Sequence, residues 1–517
     1  MSSPTPAPSG WASLKLLSPY QWFVFIVCCA AWSTDCMDQQ LFVLARRPAM
    51  TALLPKVTEH DSRVPEFRTR LDRRAEIDRK PRPTDAQVLR AIQDADINDA
   101  GTLATSCFMI GWAIGGIGFG IAGDRIGRVR TLTLTILLYA LFTGLNSFSQ
   151  GVYDFYAFRI LTGLGVGGAF AAAVTLLADS TPDAARPYIL GMFQASSVTG
   201  NCGAALISML LNSLQEQGAF KDQSLFGMAV VPWRIMFLIG VIPGLLVVLV
   251  QLKLREPEKW LAAKAAGGLK KAGSYGELLG HPTWRRNALL GLVLAVSGVI
   301  GLWGIAFFSP DLQQYVSEQR YQQEAVERGL AESVEQFDAD TAPSAAKDYV
   351  KGQKGYWAGI TSLVQNGGSF LGVFAFSIVT PFLGRRPAFA FFFVAAGLST
   401  AAVFLYLGTV GGFVDVFWMP PVMGFFQLAL FGGYAIYFPE LFPTRLRSTG
   451  TSFCYNVGRF VSAAGPLALG LLTSKVYFEY ESPLPFRYAG VTMCVVFLLG
   501  LVALPFLPET KGKPLPE

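Results

Sequence analysis

The chain has 517 residues, of which 52% are apolar and only 15% are charged, and its formal net charge is +6. A soluble chain carries about 25% charged residues, and the charges here are confined to the gaps between long apolar stretches. This composition excludes an ordinary soluble enzyme, and the modest basic excess does not indicate a nucleic-acid partner.

Twelve apolar stretches are long enough to cross a bilayer as helices. A hydrocarbon core about 30 Å thick needs roughly 20 apolar residues per helix, and lipid offers backbone groups no hydrogen-bond partner of its own. The alternation of a membrane barrel is absent. We therefore predict an all-α membrane protein with twelve transmembrane helices. Spans 1 to 12 are predicted at 20–44, 99–122, 131–149, 153–178, 187–211, 232–254, 288–309, 355–379, 388–408, 415–438, 448–474 and 487–507.

Basic residues in the short connections predict the orientation of these spans. They cluster after spans 2, 6, 8, 10 and 12, whereas the short connections after odd-numbered spans contain only Lys221 and Lys475. Positive charge favours the cytoplasmic side. The segment before span 1 lacks the pattern of a cleavable signal. We therefore expect both tails, 1–19 and 509–517, in the cytoplasm, and a chain that functions as a monomer in the lipid bilayer of the cell membrane.

Two long, charged segments interrupt the pattern on the opposite side. Residues 46–98 follow span 1 and form the first insertion; residues 311–353 follow span 7 and form the second. The stretch 315–337 carries charges on all sides, which predicts a solvated helix. The sequence leaves two alternatives open for the pair, a small external cap or flexible loops.

The second six spans repeat the first six. GDRIGRVR after span 2 matches FLGRRP after span 8, and ADSTPDAARPYILG after span 4 matches PELFPTRLRSTG after span 10. PWRIMFLIG and REPEKW, which flank span 6, match PFRYAGVTM and PETKGK, which flank span 12. We predict two pseudo-symmetric six-helix halves, 20–254 and 288–508, joined by a cytoplasmic linker at 255–287, with a substrate site between them.

These motifs resemble those of the major facilitator superfamily. Gly120 with GDRIGRVR resembles the family signature between spans 2 and 3, RILTGLGVG from Arg159 resembles the span 4 motif, and PETKGK resembles the end of span 12 in sugar and organic-ion porters. In the second half, Pro381 stands where the signature would have its Asp. The resemblance covers the chain outside the insertions and implies the major facilitator fold. In that fold the two halves rock against each other, so that the substrate site opens alternately to the two sides of the membrane.

Charged residues at the cytoplasmic ends of the spans form a candidate gate. Acid–base pairs there can hold the inner mouth shut and break when the halves rock, and carboxylates also stabilise helix N-termini. The alternative is that the arginines only fix the topology. The candidate gate residues are Gly120, Asp124, Arg125, Gly127, Arg128, Asp179, Arg186, Glu256, Arg385, Glu440, Arg447 and Glu509.

Few ionisable residues lie inside the spans. Asp35 and Asp38 lie in span 1, Arg159 in span 4 and Arg459 in span 11, while both histidines lie in loops. Ionisable groups are costly in lipid and commonly mark transport sites; the alternative is a set of buried ion pairs that only fix packing. No metal-binding or cofactor motif is evident.

We predict different roles for these four residues. Asp35 and Asp38 are the candidates for proton coupling, with Asp35 as the protonation site and Asp38 paired with Arg159 near the outer mouth. Arg459 offers a planar fork to an anionic substrate. Further substrate-binding candidates are Arg159, Asn201, Gln365, Asn366, Gln427 and Asn456, each of which could equally form an interhelical hydrogen bond.

Two segments resemble aromatic-acid and sialate proton symporters within the same superfamily. TDCMDQQ resembles their D-x-x-D in span 1, although Cys36 replaces the glycine common there. Arg459 followed by Gly465 and Pro466 resembles their span 11, in which an arginine contacts organic anions. The resemblance implies protons and a small organic acid as the transported partners, with no cofactor.

The sequence therefore predicts a secondary active transporter that couples the transport of a small organic carboxylate to protons. The alternative supported by PETKGK is a sugar or polyol proton symporter, although a sugar site needs no mid-membrane arginine. A drug antiporter is disfavoured because span 5 lacks a Gly-Pro motif. A nutrient sensor is disfavoured by the intact signature, and a membrane enzyme by the lack of a nucleophile–base pair or phosphate loop.

Overall fold

The computed structural model of the chain describes residues 10–77, 82–182, 185–220, 223–225, 227–242, 253–258, 261, 274–338, 341–443, 446–480 and 482–511. Some side chains inside these ranges also lie outside the description, among them those of the predicted gate residues Asp124, Arg125, Arg186 and Arg447.

Helices occupy every predicted span of the first half. After the short 3-10 helix Gly10–Leu16, they are Pro19–Leu53 (span 1), Asp85–Ile126 (span 2), Arg128–Asn146 (span 3), Val152–Ser180 (span 4), Arg186–Ala195 with Ser197–Glu216 (span 5) and Pro232–Ile239 (start of span 6). Residues 243–252 of predicted span 6 lie outside the described residues. Between spans 5 and 6, Ser224–Leu225 pairs antiparallel with Met228–Ala229, with Ser224 opposite Ala229.

The helices of the second half contain more irregular turns. They are Pro282–Val299 with the π-helical turn Ile300–Ile305 (span 7), Ser344–Leu383 (span 8), Arg385–Tyr406 (span 9) and Met419–Glu440 (span 10). Span 11 comprises Arg447–Ser452, the π-helical turn Phe453–Val457, Gly458–Ser462, Ala464–Leu471 and a second π-helical turn, Leu472–Val476; span 12 comprises Leu484–Met493 and Val496–Ala503. The short helix Tyr275–Gly280 precedes span 7.

Capping residues explain where the two longest helices of the first half begin. The Ser18 and Thr84 hydroxyls accept the backbone N–H groups of Gln21 and Gln87, and each glutamine side chain accepts the N–H of its capping residue. This reciprocal arrangement satisfies donors that a helix start otherwise leaves unpaired.

Among the described residues, nine helical runs are long and apolar enough to cross a membrane, and they correspond to predicted spans 2–4 and 7–12. Spans 1 and 5 do not meet that measure, yet span 1 packs along spans 4 and 5, and span 5 packs against span 8 of the other half. The predicted all-α membrane architecture is confirmed, and the packing is consistent with twelve helices.

The two insertions are folded rather than extended loops. The span 1 helix continues past its predicted end to Leu53, the helix Val64–Ile77 follows, and the span 2 helix already begins at Asp85. The helix Ser309–Val316 leads into the second insertion, which contains Glu318–Glu327 and Glu335–Asp338.

The prediction of one solvated helix over 315–337 is wrong. Gly329, with φ 72°, lies in the break after Glu327. Tyr321 and Ala325 are fully buried in a separate apolar cluster, because the helix packs on the start of span 8. The other buried members of this cluster are Ala331, Phe337, Ala342, Ala346 and Val350. Of the two alternatives for the insertions, the structure therefore favours a folded cap.

Glycines bring spans 2 and 4 into backbone contact. A Cβ at Gly163 would lie 2.1 Å from the carbonyl oxygen of Phe108, and one at Gly167 would lie 2.0 Å from that of Trp112. Any larger side chain would force the helices apart. The glycine motif of span 4 thus fixes the position of Trp112 in span 2.

Candidate functional site

Arg459 lies at the centre of the candidate site. It is only 2% exposed, and its guanidinium carbon lies 3.9 Å from the ring centroids of both Trp112 and Tyr455. Its Nη1 donates to Oδ1 of Asn456 at 3.3 Å. Trp112 belongs to the first half and Tyr455 to the second, so the guanidinium is held by cation–π contacts from both halves.

The π-helical turn Phe453–Val457 helps to shape this site. It contains Tyr455 and Asn456, and Arg459 is the second residue after it. Single π-helical turns within α-helices are frequent at functional sites, because they redirect side chains along the helix. Two side chains of this turn contact Arg459: the Tyr455 ring stacks on the guanidinium, and the Asn456 amide oxygen accepts a hydrogen bond from it.

Asp35 is the carboxylate that interacts electrostatically with Arg459. It is fully buried; its Oδ2 accepts from Gln39 at 3.2 Å, and its Oδ1 has no hydrogen-bond partner among the described residues. Within the part of the chain that the structure describes, Arg459 Nε and Trp112 Nε1 are also buried without a hydrogen-bond partner. Buried polar atoms are normally hydrogen-bonded, so an acceptor and two donors left open at one place fit a polar ligand.

Asp38 and Arg159 form a second charged centre, inside the first half. Both are fully buried, and Arg159 is the cation that interacts electrostatically with Asp38. Among the described residues, neither Asp38 oxygen and neither Nε nor Nη1 of Arg159 has a hydrogen-bond partner. The guanidinium carbon of Arg159 lies 4.8–5.7 Å from the ring centroids of Phe42, Phe155 and Phe237. The predicted pairing of Asp38 with Arg159 therefore stays a prediction.

The other predicted substrate ligands separate into different places. Asn456 lies in the site, and Asn201 donates to Asn366 at 2.9 Å across the interface between spans 5 and 8. Gln365 accepts from Ser309 at 2.7 Å, and Gln427 donates to Thr400 of span 9 at 2.7 Å. Gln365 and Gln427 therefore form contacts within the second half.

Two clusters of matching residues, here called the collars, lie where spans 3 and 9 begin. In the N-terminal collar, Arg128 Nε lies 3.4 Å from Asp179, and Glu256 accepts the backbone N–H groups of Arg128 at 2.7 Å and Val129 at 3.1 Å. Gly127 has φ 118°, and a Cβ there would lie 2.3 Å from Glu256. Glycine is therefore required at this turn.

The C-terminal collar repeats these contacts. Arg385 pairs with Glu440 at 2.8 Å, and Glu509 accepts the backbone N–H groups of Arg385 at 2.9 Å and Arg386 at 3.0 Å. Gly384 has φ 93°. The duplication seen in the sequence is thus a duplication of contacts.

The collar contacts join spans of the same half. Arg128 and Asp179 belong to the first half, and Arg385 and Glu440 to the second. A Cβ at Gly120, by contrast, would face Ser452 of the other half at 3.6 Å. The described collar pairs therefore stiffen each half, and the gate role of the predicted set stays a prediction.

Glu509 provides a pH-dependent contribution to stability. Burial opposes its charged form, but the backbone N–H groups of Arg385, Arg386 and Lys511 outweigh burial and hold the pKa of Glu509 below its usual range. A depressed folded-state pKa stabilises the fold above the unfolded pKa, and this contribution is lost as pH falls through the folded pKa. We expect Glu509→Gln to lower the Tm at pH 7 by a few degrees, and the difference to shrink on acidification.

Thermal unfolding of the purified protein in detergent between pH 7 and pH 3 checks this expectation. Glu327→Gln, an exposed carboxylate of the second insertion, is the matched control and should not change the Tm. A Glu509→Gln variant with the parental Tm at pH 7 would contradict the capping role.

Sequence reasoning did not identify Trp112 and Tyr455. Tyr455 precedes Arg459 by four residues, a spacing that places both on one helix face, and this signal could have been used. Trp112 carries no such signal, since its contact with Arg459 joins residues of different halves.

Two family models match the chain. The Major Facilitator Superfamily model matches residues 87–326, and the model described as Sugar (and other) transporter matches residues 354–517. The cis,cis-muconate transport protein of Acinetobacter baylyi is 28% identical, over 73% of this chain and 79% of that protein. The "Probable 4-methylmuconolactone transporter" of Cupriavidus pinatubonensis is 24% identical, over 97% of this chain and 94% of that protein.

A solved structure shows the same fold. The xylose transporter XylE from E. coli, in a partially occluded inward open conformation, aligns with a TM-score of 0.62 at 12% identity and covers 95% of this chain and 100% of that chain. The first model covers spans 2–7 and the second covers spans 8–12. The chain therefore belongs to the major facilitator superfamily of membrane transporters.

Proposed function

We propose that this chain is a secondary active transporter that moves a small organic carboxylate together with protons. The observation that carries the proposal is the environment of Arg459, a buried cation between two aromatic rings. Its Nε has no hydrogen-bond partner among the described residues, and Asp35 is the carboxylate that interacts with it electrostatically. A carboxylate matches a guanidinium in charge and geometry. The rings offer apolar walls to the rest of the substrate.

Competition for Arg459 supplies a mechanism for coupling. An ionised Asp35 provides the counter-charge of Arg459, and a substrate carboxylate at the same place would add a second negative charge to a buried site. Burying an uncompensated charge is strongly unfavourable. Protonation of Asp35 removes its charge and leaves Arg459 to the substrate, so proton and anion bind together and leave together.

Asp38 and Arg159 provide a second place for a proton. We propose that Arg159 serves as the counter-charge of Asp38 rather than as a substrate ligand, since three phenylalanine rings surround its guanidinium. The hydroxyl of Tyr139 lies 3.4 Å from that of Thr34. Tyr139 also interacts electrostatically with both Asp35 and Asp38.

Alternating access would then involve movement of the halves 20–254 and 288–508 as units. The collars support this reading, because their pairs fasten the ends of spans within one half. We further propose that both termini face the cytoplasm, that the insertions face outside and that one chain suffices for transport in the cell membrane.

A sugar or polyol proton symporter is the second candidate. It is supported by the match of residues 354–517 to the Sugar (and other) transporter model. Arg459 disfavours it, because a neutral polyol would leave the buried guanidinium without a counter-charge whenever Asp35 is protonated.

Uptake into proteoliposomes tests the proposal. Radiolabelled muconate, 4-hydroxybenzoate, xylose and arabinose would be compared with and without an inward proton gradient. We expect saturable uptake of at least one acid, stimulated by the gradient and abolished by a protonophore. Uptake of a sugar without any acid would establish the second candidate, and gradient-independent acid uptake would overturn proton coupling.

A further inference from the structure

The two insertions meet across the boundary between the halves. Arg46 and Arg47, at the start of the first insertion, contact Asp311 and Tyr315 of the second, and Arg90 contacts Glu318. These residues come from positions that the sequence places in different six-helix units. The contacts therefore lie where relative movement of the halves would act on them.

Arg46 and Asp311 form the most buried of these contacts. Their side chains are 4% and 13% exposed, and Arg46 Nη2 lies 2.5 Å from the carboxylate. Arg46 also donates to Thr105 at 3.1 Å, and its guanidinium carbon lies 4.0 Å from the ring centroid of Phe308. A buried guanidinium fixed from several directions gives a specific contact, unlike a mobile surface pair.

Two further contacts between the insertions lie next to the Arg46–Asp311 pair. Arg47 donates to the Tyr315 hydroxyl at 2.6 Å and to Asn98 at 3.1 Å, and the Tyr315 hydroxyl donates to Asn98 at 3.1 Å. Arg90 lies 3.2 Å from Glu318, which also pairs with Lys354 at 2.5 Å. Three cross-half contacts thus follow one another from the bundle into the cap.

The composition of the insertions favours this meeting. The first contains twelve Lys and Arg against nine Asp and Glu, whereas the second contains four against nine. The two insertions attract each other because their net charges are opposite, and the individual ion pairs fix how they align.

We propose that the insertions form a latch, consisting of Arg46–Asp311, Arg47–Tyr315 and Arg90–Glu318, that holds this end of the bundle closed. Opening here requires Arg46 to leave Asp311. The latch therefore sets the population of the closed state, and weakening it shifts the conformational equilibrium toward the state open on the insertion side.

A cavity beside the pair provides the readout. It has a volume of about 30 Å³, enough for roughly one or two water molecules, and its lining includes Arg46, Asp311 and Thr102. Thr102 is only 6% exposed. A cysteine at this position would be shielded while the latch is closed and would react when it opens.

The test measures the rate at which Thr102→Cys reacts with a hydrophilic maleimide in detergent micelles, where both faces of the protein are accessible. The parent chain provides the background from its seven native cysteines. We expect Asp311→Asn to raise the rate about tenfold, within the usual range for conformational coupling. Asp311→Glu should keep most of the protection, because it preserves the charge.

The matched control is Glu324→Gln. Glu324 pairs with Arg320 within the second insertion at 2.8 Å, so the substitution removes a pair that does not cross the halves. It should leave the labelling rate unchanged. A folded Asp311→Asn protein with the parental rate, or an equal increase in the control, would overturn the latch.

A second variant protects the test against misfolding of Asp311→Asn. Tyr315→Phe removes the hydroxyl that contacts Arg47 but keeps the ring and the net charge. We expect a smaller increase in the same direction, with the elution profile of the parent in size-exclusion chromatography. No increase in this folded variant would count against the proposal.

Discussion

Replacing Arg459 with alanine is expected to lower kcat/KM for the transported carboxylate by about 100-fold or more, the usual result of truncating one partner of a buried charge pair. The guanidinium of Arg459 contacts one ring from each half, Trp112 of the first and Tyr455 of the second. Its removal leaves Asp35 without a cation and the substrate without a counter-charge.

Arg459→Lys separates charge from geometry. Lysine retains the positive charge but lacks the planar group that stacks between Trp112 and Tyr455. We expect Arg459→Lys to recover less than about one tenth of the parental kcat/KM. Initial rates of uptake in proteoliposomes measure both variants.

The control for these variants is Arg286→Ala. Arg286 donates to the carbonyl oxygen of Phe506 at a more exposed position, far in sequence from the site. It should transport at the parental rate. Full carboxylate transport by a folded Arg459→Ala protein would remove Arg459 from the proposed site.

The second large effect is expected from Asp35→Asn, which should abolish accumulation against a concentration gradient. Asparagine resembles a permanently neutral aspartate, so it can leave Arg459 to the substrate but cannot release a proton. Exchange of labelled for unlabelled substrate should therefore continue while proton-driven accumulation fails. Asp35→Glu should restore part of the accumulation, since it restores a titratable group.

Accumulation and exchange are measured on the same proteoliposomes, with Asp348→Asn as the control. Asp348 is an exposed carboxylate of the second insertion, and its loss should affect neither activity. Parental accumulation by Asp35→Asn would show that another group carries the proton. Asp38 would then be the next candidate, because it is the other fully buried acid of span 1.

The sequence by itself determined the membrane architecture, the duplication and the residues of the collars. Apolar length predicts spans because each helix must cross the same bilayer, and repeated motifs reveal duplication without any coordinates. The same local logic identified Asp35, Asp38, Arg159 and Arg459, since ionisable residues stand out in apolar stretches.

The tertiary structure decided which of these residues meet and what surrounds them. It placed Trp112 of span 2 on Arg459 of span 11, joined Asn201 to Asn366, and directed Gln427 towards Thr400. Such contacts join segments far apart in the chain, and local periodicity carries no information on them.

The insertions show the same division most clearly. Their charge and length predicted exposed segments, and the sequence left a cap and flexible loops equally open. Only the folded chain shows that Tyr321 is buried against the start of span 8 and that Arg46 meets Asp311. The physical reason is that each burial depends on residues of another helix, an apolar surface for Tyr321 and the Asp311 carboxylate for Arg46, and tertiary packing alone brings these close.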